Sequence, residues 1–301
     1  MKSFLNKLMR YSRGVLSSIG RLEPRDFLRA IADSDDVIKR IEKYNFSIIL
    51  NIRDRAIGLP ILLKSSYEEN VTEAFLKYLK SDTCFLDIGA NIGYYSLLAA
   101  SQCPEGKVIS FEPDATNFRY LKTSISYNGF DSVIQAHNLA ASSRNEPIYL
   151  YQVNHSANSG AKVTAKDKES LNPYIHTSNP QFQRVEAVQL DSFLSGERID
   201  IVKLDIEGHE PFALLGMKEL LTQHQPVIIT EFAPLSLNLI GKMSPEEFLQ
   251  FLIDLNYQIH IIDEDGSLVH CDRDISAVIQ YFQHQGKNHI DLLLKAVCSS
   301  E

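Results

Sequence analysis

Asp87-Ile88-Gly89-Ala90-Asn91-Ile92-Gly93 ends one apolar run, which begins at Cys84, and the next apolar run, Lys107 to Phe111, leads straight into Glu112. The first run has the length of a buried strand. Its two glycines allow a tight turn, and Tyr94 to Ser101 has the pattern of a following helix whose N-terminus favours anionic groups. An acid one strand later is placed to accept hydrogen bonds from ribose hydroxyls. The stretch therefore reads as the cradle of a nucleoside-bearing cofactor at the edge of a parallel sheet. Gly89 and Gly93 do not complete G-x-G-x-x-G, which disfavours a nicotinamide dinucleotide.

Working outward from this turn, strand and helix patterns alternate. Upstream, Val71, Phe75, Leu76 and Leu79 recur at helical spacing over Glu69 to Lys80. Downstream, Asp114 is an N-cap candidate for a helix reaching about Tyr127, and Val133 to His137 is a third strand. Ile199 to Leu204 gives the fourth strand, Pro211 to Leu221 its helix, Val227 to Phe232 the fifth strand, and Ser244-Pro-Glu-Glu opens a helix to Leu255. Tyr257 to Ile262 and Ile290 to Ala296 supply two more strands. They are expected to pair antiparallel across a loop-like stretch around Asp265-Gly266. Such alternation predicts an α/β fold with a mostly parallel, doubly wound sheet and an antiparallel last strand.

Two segments break the rhythm. Residues 1–66 read as an N-terminal helical and strand extension: a basic amphipathic helix, a second helical stretch from Pro24 to Tyr44, then Phe46 to Ile52 and Leu59 to Lys64 as a strand pair. Residues 67–301 form the main domain. Within it, Ile148 to Val153 and Arg184 to Val188 read as strands flanking a polar insert at about 154–182, rich in Asn, Ser and Lys. An insert of that length is expected to be a flap that covers a substrate or, alternatively, a disordered surface loop.

The chain has 301 residues, 44% of them hydrophobic, and no apolar run long enough for a membrane span. Cys84, Cys103, Cys271 and Cys298 form no C-x-x-C pair and no secretory leader is evident. A cytoplasmic setting is expected. Residues 1–22 carry five basic residues and no acid, so the formal charge of −8 becomes −13 over the rest of the chain. An acidic body argues against a nucleic-acid partner. The basic helix could lie peripherally on an anionic membrane, or pack on the body or on a second subunit.

The second informative stretch is Asp200 to Glu210, at the carboxyl end of the fourth strand, where open α/β sheets bind ligands. Alternation sets Lys203, Asp205 and Glu207 on one side of it. Asp205 is the first candidate for a catalytic proton acceptor, with Glu207 and His209 behind it. Asp205, Glu207, Glu210 and Glu231 could alternatively hold Mg²⁺, which prefers oxygen ligands. For Lys203 the simpler role is an ion-pair partner of these acids, and for Glu210 a first-turn residue complementing a helix dipole. A surface position at a helix start is an equal alternative for His209. His155 and His176 fall in the insert, and His284 and His289 lack zinc-motif context.

An acid before the first glycine, Asn91 within the turn, and a second acid ending the next strand resemble the S-adenosylmethionine site of class I methyltransferases. With Leu86 to Ser96, Phe111-Glu112-Pro113, Leu190-Asp191, Lys203 to Glu210 and Ile229-Thr230-Glu231 in order, the chain resembles the FkbM family of S-adenosylmethionine-dependent methyltransferases. The resemblance implies a Rossmann-like class I fold and methyl transfer to a hydroxyl, commonly on a sugar of a glycolipid or polysaccharide, or on a natural product. It further implies that Asp87, Gly89, Asn91 and Gly93 surround the methionine end of the cofactor, Glu112 the ribose, and Asn138 and Ala140 the adenine. The competing readings are an NAD-linked sugar oxidoreductase or epimerase, which lacks support in the absent third glycine and the absent Tyr-x-x-x-Lys pair, and a non-catalytic scaffold. The acceptor's identity and a homo-oligomeric state stay open in the sequence.

Overall fold

The computed structural model describes residues 35–153, 162–175, 177 and 179–297. The stretch expected to form a basic helix, the first half of the helical stretch expected from Pro24, His155 and His176 lie outside them. The described chain opens with a hairpin, β1 (Asp36–Ile41) and β2 (Phe46–Asn51), paired antiparallel around a 3-10 turn at Glu42–Tyr44. This corrects the helix expected up to Tyr44: Ile38, Arg40 and their neighbours alternate with period two, and the pairing with β2 overrides the weak helical spacing. The expected strand at Leu59–Lys64 is instead helix α1 (Gly58–Lys64). Pro60 sits in its first turn, where the missing N–H costs nothing, and a short apolar run does not by itself separate strand from helix.

Helix α2 (Glu69–Leu76) leads into β3 (Cys84–Ile88), α3 (Tyr94–Gln102), β4 (Lys107–Phe111), α4 (Ala115–Asn128) and β5 (Ile134–His137). Asp114 caps α4, its side chain accepting from the N–H groups of Thr116 and Asn117. Next comes a separate small sheet of β6 (Ala140–Ala141), β7 (Glu146–Gln152), β8 (Lys162–Ala165) and β9 (Phe182–Val188), in the order β6-β9-β7-β8; of its strands only β8 lies within the polar insert expected at about 154–182, and the whole sheet together with that segment is termed the insert. A short helix α5 (Leu190–Phe193) returns the chain to β10 (Ile201–Leu204). The single helix expected over Pro211 to Leu221 is two, α6 (Glu210–Gly216) and α7 (Lys218–His224), meeting at Met217. A β-carbon on Gly216 would collide with the Ser142 carbonyl, so the insert packs directly against this break.

After β11 (Val227–Phe232) and α8 (Pro234–Leu239), helix α9 (Pro245–Asp254) begins with a full capping box between Ser244 and Glu247. Then come β12 (Tyr257–Ile262), β13 (Leu268–Asp272), α10 (Ile275–Gln285) and β14 (Ile290–Ala296). The stretch between β12 and β14 is thus a strand and a helix rather than a loop. Val278 of α10 is buried in the core, and Asp274 caps the helix.

The main sheet runs β13-β12-β14-β11-β10-β3-β4-β5. The five strands from β11 to β5 are mutually parallel, while β14 is antiparallel to both β11 and β12. Apolar cores cover both faces. One holds Leu86, Leu204, Leu214 and Phe248; the other holds Phe85, Leu97, Leu121 and Leu293 together with Phe46, Ile48 and Ile61 from the N-terminal hairpin and α1. This is the mostly parallel, doubly wound α/β sheet with an antiparallel last strand that the alternation of elements predicts. The N-terminal hairpin shares the core of the main domain. Among the described residues no helix is long and apolar enough to cross a membrane.

Candidate active site

The sheet brings the two informative stretches into contact at its carboxyl edge. The N–H of Asp205 bonds to the Ile88 carbonyl at 3.1 Å, extending the β3/β10 ladder one rung past the strand end. A β-carbon at Gly89, whose φ is +84°, would lie 2.0 Å from the Asp205 carbonyl oxygen. Only glycine lets this turn and the acidic turn close on each other. Gly93, at φ +95°, precedes α3 in a conformation that L side chains rarely adopt.

Asp87 is buried and accepts a 2.5 Å hydrogen bond from Ser96, which contacts Ser110 in turn. Burial pushes its pKa up to about 6, with the Ser96 bond opposing. Glu112 is buried with its two oxygens divided between the N–H groups of Asn91 and Asp114, each at 2.8 Å. Burial raises its pKa to about 7 against those two bonds. Both carboxyls line one cavity with Gly89, Asn91, Phe111, Leu139 and Ala140. Asn138, by contrast, turns its amide onto the Glu112 and Pro113 carbonyls and is not part of that lining. It braces the loop under Glu112.

The insert forms the opposite wall through Leu150, Lys162 and Thr164. Lys162 reaches from β8 to the start of α4, pairing with Asp114 at 2.7 Å and donating to Asn117 at 3.1 Å. Nothing in the sequence spacing marks Lys162, because its partners lie some 45 residues away.

A second cavity, about 320 Å³, adjoins the first. Ile57, Tyr67, Asp205 and Glu207 line both, and the second adds Glu68, Tyr174, Glu231, His289 and Asp291. The ammonium of Lys203 is buried between Asp205 at 2.8 Å and Glu68 at 3.9 Å, above the Tyr95 ring. Burial works against its charge, but Asp205, Glu68 and Asp87 outweigh that and hold its pKa above the ordinary lysine value. The ion-pair role expected of Lys203 is what the geometry displays.

Glu207, at φ +56°, has no ion-pair partner among the described residues. Burial first, then the Glu231, Asp205, Glu210 and Glu68 carboxylates, push its pKa up to about 9. Glu231 bonds His289 at 3.0 Å, and that bond raises the imidazole's pKa. Asp291 faces Glu231 across the β11/β14 ladder, its own pKa raised by burial and by Glu68. Glu68, His289 and Asp291 escape sequence reasoning because they come from a helix entry and a final strand far from either motif. The one clue is an acid, Asp291, within the apolar run Ile290 to Leu294.

His209 corrects an expectation. It is fully buried rather than on the surface, and it lines neither cavity. Its Nε2 meets Ser142 Oγ at 3.2 Å and its ring packs on Phe212, so it ties the acidic turn to the insert. Burial drives its pKa down to about 3. Glu210 is also buried and accepts from the Ile206 N–H at 2.9 Å, bracing the turn that carries Asp205 and Glu207. The suggested Mg²⁺ ligands Asp205, Glu207 and Glu231 share a cavity wall, but their oxygens do not gather within mutual ligating distance. Among the described residues the one set of three ligand atoms within 4.8 Å of one another is elsewhere, at His260, His270 and Asp272.

Comparison with known proteins adds to this geometry. Residues 87–259, more than half of the chain, match the methyltransferase FkbM domain. Methyltransferase sdnD of Sordaria araneosa is 28% identical over 47% of this chain and 62% of its own length. The AMB antimetabolite synthetase AmbE of Pseudomonas aeruginosa is 27% identical over 47% of this chain and 8% of its own. The chain thus spans less than two thirds of these curated relatives. Among solved structures, methyltransferase FkbM from Methylobacillus flagellatus KT is similar with a TM-score of 0.44 at 15% identity, covering 78% of this chain and 52% of its own. M. jannaschii TYW2 in complex with AdoMet is similar with a TM-score of 0.41 at 10% identity, covering 88% of both chains.

Proposed function

The chain belongs to the methyltransferase FkbM family, and from that premise we propose that it transfers a methyl group from S-adenosylmethionine to a hydroxyl of a sugar or natural-product acceptor. The observation that carries the reading is the junction of the two cavities, where Asp205 and Glu207 line both. S-adenosylmethionine supplies an electrophilic methyl carbon when bound. The residues of this chain have two tasks: to seat an acceptor oxygen in line with that carbon, and to take its proton.

The residues present fit the cofactor. Glu112 is fixed by two backbone N–H groups and keeps lone pairs for ribose hydroxyls. Phe111, Leu139 and Ala140 offer an apolar wall suited to a purine, and Asp87, Gly89 and Asn91 flank the amino-acid end. On the acceptor side, Asp205 commits one oxygen to Lys203, whereas Glu207 has no such partner. A carboxyl with an elevated pKa is the better proton acceptor once ionised, so Glu207 takes the hydroxyl proton and Asp205 orients the acceptor. The cavity's carboxyls, beside the Lys203–Asp205 and His289–Glu231 pairs, offer many hydrogen-bonding groups and so suit a neutral polyhydroxylated acceptor.

The test begins with titration of the full chain by S-adenosylhomocysteine and by NAD. The expected result is binding of the first alone. Labelled S-adenosylmethionine offered with polyhydroxylated acceptors then yields an oxygen-linked product heavier by one methylene. Binding of NAD instead, or methylation at carbon or nitrogen only, overturns the reading.

A further inference from the structure

The His260, His270 and Asp272 cluster lies at the outer edge of the sheet, and none of its residues lines either cavity of the active site. Its geometry comes from a register shift. In the β12/β13 ladder Ile262, Ile261 and His260 pair regularly with Leu268, Val269 and His270, but a bulge between Ile259 and His260 then pairs Ile259 with Asp272. A regular ladder would set Asp272 opposite Gln258, about 3.3 Å further along the strand. The bulge, with Asp272 itself at φ +51°, draws this carboxylate toward the cross-strand His260–His270 pair, whose ring centroids are 4.6 Å apart.

We propose that these three side chains form a binding site for a borderline divalent cation of the zinc type, clasping the edge hairpin β12–β13. Two imidazoles and one carboxylate are a donor set suited to Zn²⁺, with remaining positions open to water on the exposed side. His260 is buried, and its Nδ1 has no hydrogen-bond partner among the described residues, whereas His270 and Asp272 are exposed. A buried ring nitrogen left unpaired is unusual in a folded protein. The opposing charge is Lys295, on the neighbouring β14, which also acts on His260; its Nζ is drawn over the Tyr78 ring.

The test titrates Zn²⁺ into the chelator-treated full chain, followed by calorimetry and by the shift of the melting temperature. Wild type is expected to bind one equivalent and melt higher. His270→Ala and Asp272→Asn change exposed positions, and each is expected to lose affinity by on the order of tenfold or more. X-ray absorption of the zinc complex is expected to show imidazole ligands, a readout independent of folding in the variants. Glu207→Gln serves as the control for cation capture by the active-site acids. Unchanged affinity in both edge variants overturns the site, as does affinity lost only in Glu207→Gln.

Discussion

Glu112 accepts from two backbone N–H groups at once, that of Asn91 within the glycine turn and that of Asp114 at the cap of α4. An amide cannot do the same, since one of its two heavy atoms is a donor. Glu112→Gln therefore sets an NH₂ against the N–H of Asn91 or Asp114 and leaves one buried amide unpaired. Calorimetry should show S-adenosylhomocysteine binding weakened roughly tenfold or more, the equivalent of one charge-assisted hydrogen bond. Glu207 makes a different prediction. Its carboxyl stays protonated until the pH nears about 9, so kcat/KM should climb on the alkaline side of neutrality. Glu207→Gln should lose that rising limb and about 10²-fold or more in turnover, while its affinity for S-adenosylhomocysteine stays at the wild-type value. Retention of the limb in the variant would assign the proton to another group.

At the scale of elements, the insert sheet acts as a wall pinned by one ion pair. Removing it in Lys162→Ala frees β8 from the start of α4 and should raise KM for both substrates several-fold with a smaller change in kcat, as steady-state kinetics would show. Gly89→Ala addresses the floor of the same site. A methyl group 2.0 Å from the Asp205 carbonyl, on a backbone at φ +84°, should cost about 2 kcal/mol or more by denaturant unfolding. Much of this floor was legible from Asp87-Ile88-Gly89 and Lys203 to Glu210, because chemistry at a strand end is local and leaves its spacing in the chain. The walls were not. Lys162, Glu68 and Asp291 acquire their roles only when remote segments meet, and neither hydrophobic period nor motif encodes that meeting. The helix at Gly58–Lys64 and the strand at Asp36–Ile41 differ from their expected forms for a related reason: short segments take the conformation their tertiary partners impose, whereas the strand at Phe46–Asn51 is as expected.

For the whole molecule, the site's crowded acids set a stability profile. Asp87, Glu112, Glu210 and Glu207 have folded pKa values of about 6, 7, 8 and 9, all above the unfolded values near about 4. The stability they contribute is fully present below the unfolded values and is lost as pH rises through the folded ones. His209 runs the other way, its folded pKa of about 3 lying below the unfolded one, so its contribution is lost only on the acid side of about pH 6.5. Between about pH 6.5 and 9 the melting temperature should therefore fall. Glu210→Gln keeps an oxygen for the Ile206 N–H without titrating, and should flatten that fall.

The position of β14 has a consequence for synthesis. It follows every other described strand in the chain, yet it occupies an interior slot, flanked on both sides by β11 and β12. A nascent chain that has emerged through β12 already holds the cofactor turn, but two strand edges stay open until Ala296 leaves the ribosome. During that interval the half-built sheet is a substrate for chaperones or for a neighbouring nascent chain on the same message. Because Asp291 and His289 arrive with the closing strand, the second cavity is completed in the same event that seals the sheet.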